Sequence, residues 1–129
     1  MDWEAWTQLA REVRERAHAP YSGFKVGAVV VGRGGEAFAG CNVENLSYGL
    51  TMCAERVAVG AAVAAGVTGI EAVVVVADTS EAISPCGACR QVLAEFGDPE
   101  LLLVGRNGSE RFRLSELLPR AGTGILERP

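Results

Sequence analysis

The chain has 129 residues, of which 49% are hydrophobic and 22% are charged, with a formal net charge of −4 and a pI near 5.0. This length and composition predict one globular domain over residues 1–129, with a single buried core. The acidic balance argues against a nucleic-acid polymer as partner, since phosphate binding needs clustered Lys and Arg.

The N-terminal stretch MDWEAWTQ has neither the basic start nor the apolar segment of a secretion signal. The longest apolar stretch, Val57 to Val67, is shorter than the roughly 20 residues that span a bilayer. We therefore expect a cytoplasmic protein with no membrane partner. Its four cysteines are expected to be reduced thiols, available for metal or redox chemistry.

The first part of the chain predicts a helix followed by a hairpin. Apolar residues recur at helical spacing, and Asp2 can cap the start, so residues 2–18 are predicted to form an amphipathic helix. PYSG is a turn, and FKVGAVVV is a strand that runs into the loop GRGG. A second strand, over about 36–41, pairs back with the first.

The second part alternates helices with apolar strands. GCNVENLSYGL predicts a loop, and a helix follows from about 52 to 65; it is closed by Gly66 and, being nearly all Ala and Val, is expected to be buried. IEAVVVVAD, at 70–78, is typical of a strand buried on both faces. The remaining elements are a short helix in PCGACRQVLAEFG, a strand in LLLVG, a last strand in RFRL, and a terminal turn, SELLP, capped by Ser115.

The order α-β-β-α-β-α-β-β predicts an α/β fold. Alternation of helices with strands of this kind favours layers in which helices cover both faces of a sheet. We expect a three-layer α/β/α sandwich with a mixed sheet of about five strands.

The cysteines carry the strongest functional signal. PCGAC places Cys86 and Cys89 at i and i+3, on one helical face, where they could hold a metal or form a redox disulfide. A helix start, which is also the predicted place of Cys53, favours thiolate over thiol. CxxC alone is also compatible with a thioredoxin-like redox site. Cys53 with Glu55 two residues on, followed by PCxxC, matches the zinc-deaminase signature, with Cys in place of His as first ligand.

The chain resembles the small homotetrameric cytidine deaminases. The likeness runs from PYSGFKVGA through GCNVENLSYGLTMCAERVA and SPCGACRQVLAEF to ELLP. It implies a cytidine deaminase-like fold, a Zn²⁺ cofactor, and a homotetramer with sites built at subunit contacts. It also implies a hydrolase that acts on the C–N bond of a cyclic amidine in pyrimidine salvage. That enzyme would convert the nucleosides cytidine and 2′-deoxycytidine to uridine or 2′-deoxyuridine and ammonia.

In this interpretation Cys53, Cys86 and Cys89 hold zinc and leave a fourth position open for water, as catalytic zinc sites do. Glu55 is the catalytic residue, which moves protons from the water to ring N3 and to the departing amine. Arg56 donates hydrogen bonds to the thiolates and offsets their charge. The alternatives are a solvated surface arginine at Arg56 and an ordinary acidic residue in a first helical turn at Glu55.

The resemblance also implies substrate contacts. Asn42 and Glu44 point the same way on an extended segment and would bind sugar hydroxyls, unless they only form hydrogen bonds within the loop. Phe24 would pack near the pyrimidine, or is a core residue at a strand start. Tyr48 would lie near the substrate, across a subunit contact, or is an ordinary loop tyrosine. The backbone of Ala54 would contact the base.

Some residues are left without a role, and some alternatives stay open. Cys41 is expected to be a buried apolar cysteine, and His18 an ordinary histidine at a helix end. Members of the family commonly place an aromatic residue soon after ELLP, but this chain has none there, so that role is vacant or filled by Ile125 or Leu126. One rival function is a deaminase of another aminopyrimidine nucleoside, such as a nucleoside antibiotic. The other is a non-catalytic zinc or redox CxxC protein.

Overall fold

The computed structural model describes residues 1–121 of the chain. These residues form a five-stranded sheet in the order β2-β1-β3-β4-β5, in which β3 and β4 are parallel and the other neighbouring pairs are antiparallel. The predicted mixed sheet is therefore confirmed. The strands are β1 (Val26–Gly32), β2 (Ala37–Cys41), β3 (Ile70–Ala77), β4 (Glu100–Val104) and β5 (Ser109–Arg113).

Helices cover both faces of the sheet. The helices are α1 (Trp3–Arg14), α2 (Ala54–Ala64), α3 (Gly87–Ala94) and α4 (Leu114–Leu117), with a 3-10 turn at Tyr48–Leu50. Apolar residues of α1 pack with Val29, Val31 and Val74 on one face, and residues of α2 and α3 pack with Val30, Val73 and Val75 on the other. This arrangement confirms the three-layer α/β/α prediction.

The central strand β3 shows why the sheet lies between helices. Val73, Val74 and Val75 are each 0% exposed, so side chains on both faces of the strand are buried. Alternate valines belong to opposite cores. A continuous β-branched run is the expected sequence of such a strand, because both of its faces exclude water.

The start of α2 is held close to the sheet by Gly40 in β2. A Cβ at Gly40 would lie 2.6 Å from the carbonyl oxygen of Ala54 and would also clash with the backbone nitrogen of Ala58. Only glycine allows the two backbones to approach this closely. The first turn of α2, which carries Ala54 and Glu55, is thereby fixed directly over the end of β2.

Several predicted boundaries are wrong, because local capping decides them. Helix α1 ends at Arg14 rather than at residue 18, and β1 begins at Val26, so Phe24 precedes the strand. Helix α2 begins at Ala54, because Cys53 has an extended backbone conformation, with φ −71 and ψ 153. The last strand begins at Ser109, earlier than RFRL suggests.

Two predictions about helices are corrected. Ser115 lies inside α4 and does not cap it: the cap residue is Arg113, whose amide donates to the side chain of Glu116 at 2.8 Å. Helix α2 is not buried all round, since Gly60, Ala61 and Val63 are exposed on its outer side. No helix within residues 1–121 is both long and apolar enough to cross a membrane.

Candidate functional site

Three cysteine thiols converge between the N-terminal ends of α2 and α3. Cys53 is the cap residue of α2, Cys86 is the cap residue of α3, and Cys89 lies in the first turn of α3. The three sulfur atoms all lie within 4.8 Å of one another. The Cys53–Cys86 and Cys86–Cys89 Sγ separations are 3.8 Å and 3.4 Å.

These separations fit a metal ion. Tetrahedral zinc with thiolate bonds of about 2.3 Å holds its sulfur ligands about 3.8 Å apart, close to the distances in the cluster. Thiolate donors select soft or borderline metals over Mg²⁺ and Ca²⁺. Cys41 lies outside the cluster, as expected, but it is half-buried rather than buried, because it stands at the end of β2.

The pKa values of Cys86 and Cys89 are shifted in opposite directions. Burial opposes ionisation of Cys86, but hydrogen bonds from the Cys89 amide, the neighbouring thiols and the Ala88 amide bring the pKa of Cys86 below its ordinary value. Burial, followed by the charge of Glu55, raises the pKa of Cys89. A bound cation favours the thiolate form at every ligand, so metal binding would release protons from this cluster.

Glu55 is a buried carboxylate beside the thiols. It is 5% exposed and lies in the first turn of α2. Burial raises the pKa of Glu55, and contacts with its own amide, the Arg56 charge and the Cys89 thiol only partly offset this. A carboxyl group of this kind can exchange protons closer to neutral pH than an exposed one.

Arg56 points back toward the cluster rather than into solvent. Its Nη2 lies 3.6 Å from the Cys53 sulfur and donates to the carbonyl of Thr51 at 3.3 Å. The contact with Cys53 is the main reason that the pKa of Arg56 is raised. Its Nε is buried and has no hydrogen-bond partner among the described residues. The guanidinium therefore places a positive charge where three thiolates would gather.

A cavity of about 440 Å³ has Thr51 in its lining, and the carbonyl of Thr51 accepts a hydrogen bond from Arg56. Tyr48 is 75% exposed and meets Tyr21 edge to face, with ring centroids 6.0 Å apart. The lining of the cavity is polar and aromatic, and consists of Tyr21, Ser22, Glu44, Tyr48 and Thr51.

Glu44 is fixed by the turn that precedes β1. Its carboxylate accepts from the amides of Tyr21 at 3.0 Å and Ser22 at 3.1 Å, and from the Ser22 hydroxyl. Chiefly because of the Ser22 hydroxyl, the pKa of Glu44 lies below its ordinary value. Ser22 also accepts from the Phe24 amide at 3.0 Å, so one hydroxyl orders both Glu44 and Phe24.

Asn42 and Phe24 meet at the edge of the sheet. Asn42 is 8% exposed, and its side-chain amide accepts from the Val26 amide at 2.8 Å and donates to the Phe24 carbonyl at 2.8 Å. Phe24 is 41% exposed, so the alternative of a core phenylalanine is wrong. The side chains of Asn42 and Glu44 thus both form hydrogen bonds with the 21–26 segment.

Backbone pairing joins the cavity to the thiol cluster. Val43, between Asn42 and Glu44, exchanges two hydrogen bonds of 2.9 Å with Met52, the residue before Cys53. Ala54 follows as the first residue of α2 and is fully buried. This pairing fixes the distance between residues 42–44 and the Cys53 thiol.

Sequence reasoning missed some residues of this region. PYSG predicts only a turn, although Tyr21 and Ser22 line the cavity and donate hydrogen bonds to Glu44. The sequence signal is the serine itself: a serine hydroxyl can accept a hydrogen bond from the backbone amide two residues later, as Ser22 does from Phe24, and so stabilise a turn. The expectation for Ile125 and Leu126 lies outside the described residues.

The chain matches the family model for the cytidine and deoxycytidylate deaminase zinc-binding region over residues 1–104. It is 45% identical to the cytidine deaminase of Sporosarcina psychrophila, over 94% of this chain and 91% of that protein. It is 41% identical to the cytidine deaminase of Mycobacterium tuberculosis H37Rv, over 94% of this chain and 90% of that one.

Solved structures agree with these relatives. The crystal structure of cytidine deaminase from Burkholderia pseudomallei superimposes with a TM-score of 0.88 at 46% identity, covering 92% of this chain and 98% of that chain. The thiol cluster, the buried Glu55 and these matches lead to one conclusion: the chain belongs to the cytidine and deoxycytidylate deaminase family.

Proposed function

We propose that this chain is a zinc-dependent hydrolase that converts cytidine and 2′-deoxycytidine to the corresponding uridine nucleoside and ammonia. The observation that carries the proposal is the convergence of Cys53, Cys86 and Cys89 beside the buried carboxylate of Glu55. Three thiol ligands leave one tetrahedral position free for water, which is the arrangement of catalytic rather than structural zinc.

The zinc site has chemical support from the residues around it. Bound by the three thiolates, zinc would supply a Lewis acid that makes water nucleophilic near neutral pH. Three thiolates reduce the positive charge of the ion, and Arg56 opposes this by drawing charge from Cys53 at 3.6 Å.

Glu55 is the proton carrier in this proposal. It takes a proton from the attacking water and delivers it to N3 of the pyrimidine. It then takes a second proton from the new hydroxyl at C4 and passes it to the amine, so that the C–N bond breaks, ammonia leaves and the carbonyl of the uridine product forms. Its raised pKa suits these transfers, because a carboxylate with an ordinary pKa is a weak base and takes up a proton poorly near neutral pH.

The cavity supports a nucleoside as substrate. Glu44 offers an ionised acceptor for sugar hydroxyls, and Asn42 fixes the strand beside it. Phe24 and Tyr48 supply exposed rings that can cover a flat base, and Ala54 brings helix backbone next to Cys53. Deamination of another aminopyrimidine nucleoside remains the alternative, because no aromatic residue follows ELLP.

We also propose a homotetramer. Large apolar side chains in the 46–50 segment and on α2 are exposed in the single chain, with Leu46 at 79%, Leu50 at 66% and Val63 at 47%. Exposed apolar patches of this kind mark interaction surfaces. Val63→Glu should reduce the mass measured by light scattering, and an unaltered mass would argue against this face as an interface.

A cytoplasmic role in pyrimidine salvage completes the proposal. The thiol ligands must stay reduced, which a reducing compartment provides. Growth of a deaminase-deficient host on cytidine as pyrimidine source should be restored by the wild-type chain and not by Glu55→Gln.

The decisive experiment is a substrate panel with metal analysis. Purified protein should hold about one zinc per chain and should deaminate cytidine and 2′-deoxycytidine, with loss of cytosine absorbance and release of ammonia. Cytosine and cytidine monophosphate should react much more slowly. Activity on none of the four would favour a different aminopyrimidine nucleoside. Absence of zinc, with a reversible Cys86–Cys89 disulfide, would favour the redox alternative.

A further inference from the structure

Arg90 joins the loop before Cys86 to the last helix of the described chain. In α3, its Nε donates to the Pro85 carbonyl at 2.8 Å, and its Nη1 donates to the Leu117 carbonyl at 2.7 Å. Both contacts are short, as expected when a charged donor meets a carbonyl. One half-buried guanidinium therefore bridges two segments that are far apart in sequence.

Both acceptors are well placed for such a bridge. Pro85 is fully buried and directly precedes Cys86, so its carbonyl orientation sets the direction in which the chain enters the Cys86 position. Leu117 is the last residue of α4. Carbonyls at a helix end have no partner within the helix, and a cation is favoured there.

Helix α4 is itself anchored, so it can serve as a fixed support. The amide and hydroxyl of Ser115 donate to the Asp98 carboxylate at 2.8 Å and 2.9 Å. The Leu114 amide donates to the Pro99 carbonyl at 3.0 Å, and Leu114 is buried in the core. Arg90 thus ties the Cys86 loop to an element that the sheet already holds in place.

We propose that Arg90 is a positioning residue for the metal centre: its guanidinium holds Pro85 against α4 and so fixes the Cys86 sulfur. The inference rests on the proposed zinc function, because it assigns Arg90 to one ligand of that site. Arg90 acts through backbone geometry and touches no reacting group. Its role differs from that of Arg56, which contacts the Cys53 sulfur directly.

The bridge depends on the shape of arginine as well as its charge. A planar guanidinium presents several N–H donors in a rigid fork, whereas a lysine ammonium is a point charge on a flexible chain. Arg90→Lys keeps the charge near α3 but cannot hold both carbonyls in the same geometry. Geometry and charge can therefore be separated by comparing Arg90→Lys with Arg90→Gln.

The test uses the zinc-loaded enzyme and two readouts besides activity. The first is the rate of zinc loss to an excess of chelator, and the second is the thiolate-to-metal absorption of the cobalt-substituted protein. Both variants should lose zinc roughly tenfold faster than wild type, the lower end of the range for partners outside the ligand set. Their cobalt bands should shift, and kcat should fall with little change in KM.

Arg106→Gln is the matched control. Arg106 also donates to a backbone carbonyl, that of Asp78 at 2.8 Å, and its loss removes the same charge away from the thiol cluster. This variant should keep the wild-type rate of zinc loss and the wild-type cobalt bands. If Arg90→Gln does not fold, Arg90→Lys carries the test.

Two results with the Arg90 variants would overturn the inference. The first is zinc loss and cobalt bands at wild-type values in both variants; a lower melting temperature in that case would make Arg90 a purely structural brace. The second is full rescue by Arg90→Lys, which would assign the effect to charge. Wild-type protein that holds no zinc would refute the proposed function as well, whereas the other outcomes leave that function intact.

Discussion

The buried carboxylate of Glu55 lies beside the thiol of Cys89, which belongs to a different helix, and the charge of Glu55 helps to raise the pKa of that thiol. Cys53 is much closer in sequence, but it lies outside α2 as the cap residue, with an extended backbone. Residues two apart on a helix do not share a face. This proximity places Glu55 beside the proposed zinc ligands but outside the group of three thiols, which is the position that its proposed role as proton carrier needs.

The first prediction concerns this carboxylate. Glu55→Gln should retain zinc and the wild-type fold, because Gln preserves shape and removes only the buried charge. Turnover should fall by about a hundredfold to ten-thousandfold, which is the usual contribution of general acid–base catalysis. Steady-state kinetics and metal analysis of the same sample check both statements.

The matched control is Glu110→Gln, at an exposed position of β5. Its kcat should be unchanged. Retained activity in Glu55→Gln would remove the proton-transfer role of Glu55, whereas loss of zinc in that variant would show that the carboxylate stabilises the metal centre instead.

The second prediction concerns Arg56. Arg56→Ala removes the donor 3.6 Å from the Cys53 sulfur and leaves the thiolate charge uncompensated. Zinc affinity should fall by about tenfold to a hundredfold, measured by competition with a chromophoric chelator. Arg11→Ala, at an exposed position of α1, is the control. Equal zinc affinity in the two variants would return Arg56 to an ordinary surface role.

The third prediction separates the clustered thiols from Cys41. Cys86→Ser should lower zinc affinity by at least about a hundredfold, because losing a ligand exceeds the loss of a partner outside the ligand set. Cys41→Ser should bind zinc like wild type, since Cys41 lies outside the cluster. Mass spectrometry under native conditions measures the zinc content of each. Zinc loss in Cys41→Ser would require a different ligand set.

The fourth prediction concerns Ser22 and the pKa of Glu44. The pKa of the folded carboxyl group lies below its ordinary value of 4.5, so its stabilising contribution is present above pH 4.5 and is lost as pH falls through the lower, folded pKa. Ser22→Ala removes the main cause and should move the pKa of Glu44 upward. Carboxyl chemical shifts followed by NMR during a pH titration measure the change.

The same substitution should affect substrate binding. With Glu44 and Phe24 less ordered, KM for the nucleoside should rise by roughly threefold to tenfold, while kcat changes little. Ser80→Ala, in an exposed loop, is the control. An unchanged KM in Ser22→Ala would show that the turn does not organise the substrate pocket.

Local sequence patterns predict most of the helices and strands and their arrangement in layers. The β-branched run of β3 predicts a strand buried on both faces, because water is excluded from each side, and the alternation of elements predicts the layers. The predicted helix ends are the least accurate part of the fold prediction. The position of a helix end depends on which residue pairs with the free backbone groups, as Glu116 pairs with the amide of Arg113 at α4. Several residues in one stretch of sequence can form such a pair.

The sequence by itself identified the thiols and the carboxylate as candidate site residues. Cys86 and Cys89 are close because only two residues separate them, and the chemistry of thiol and carboxyl groups follows from the residue type alone. The tertiary structure decided how distant pieces meet: Glu55 with Cys89, Val43 with Met52, and Arg90 with Leu117. The last two contacts end on backbone groups, which every residue carries. No side-chain pattern could predict them, since only folding selects which carbonyl faces which donor.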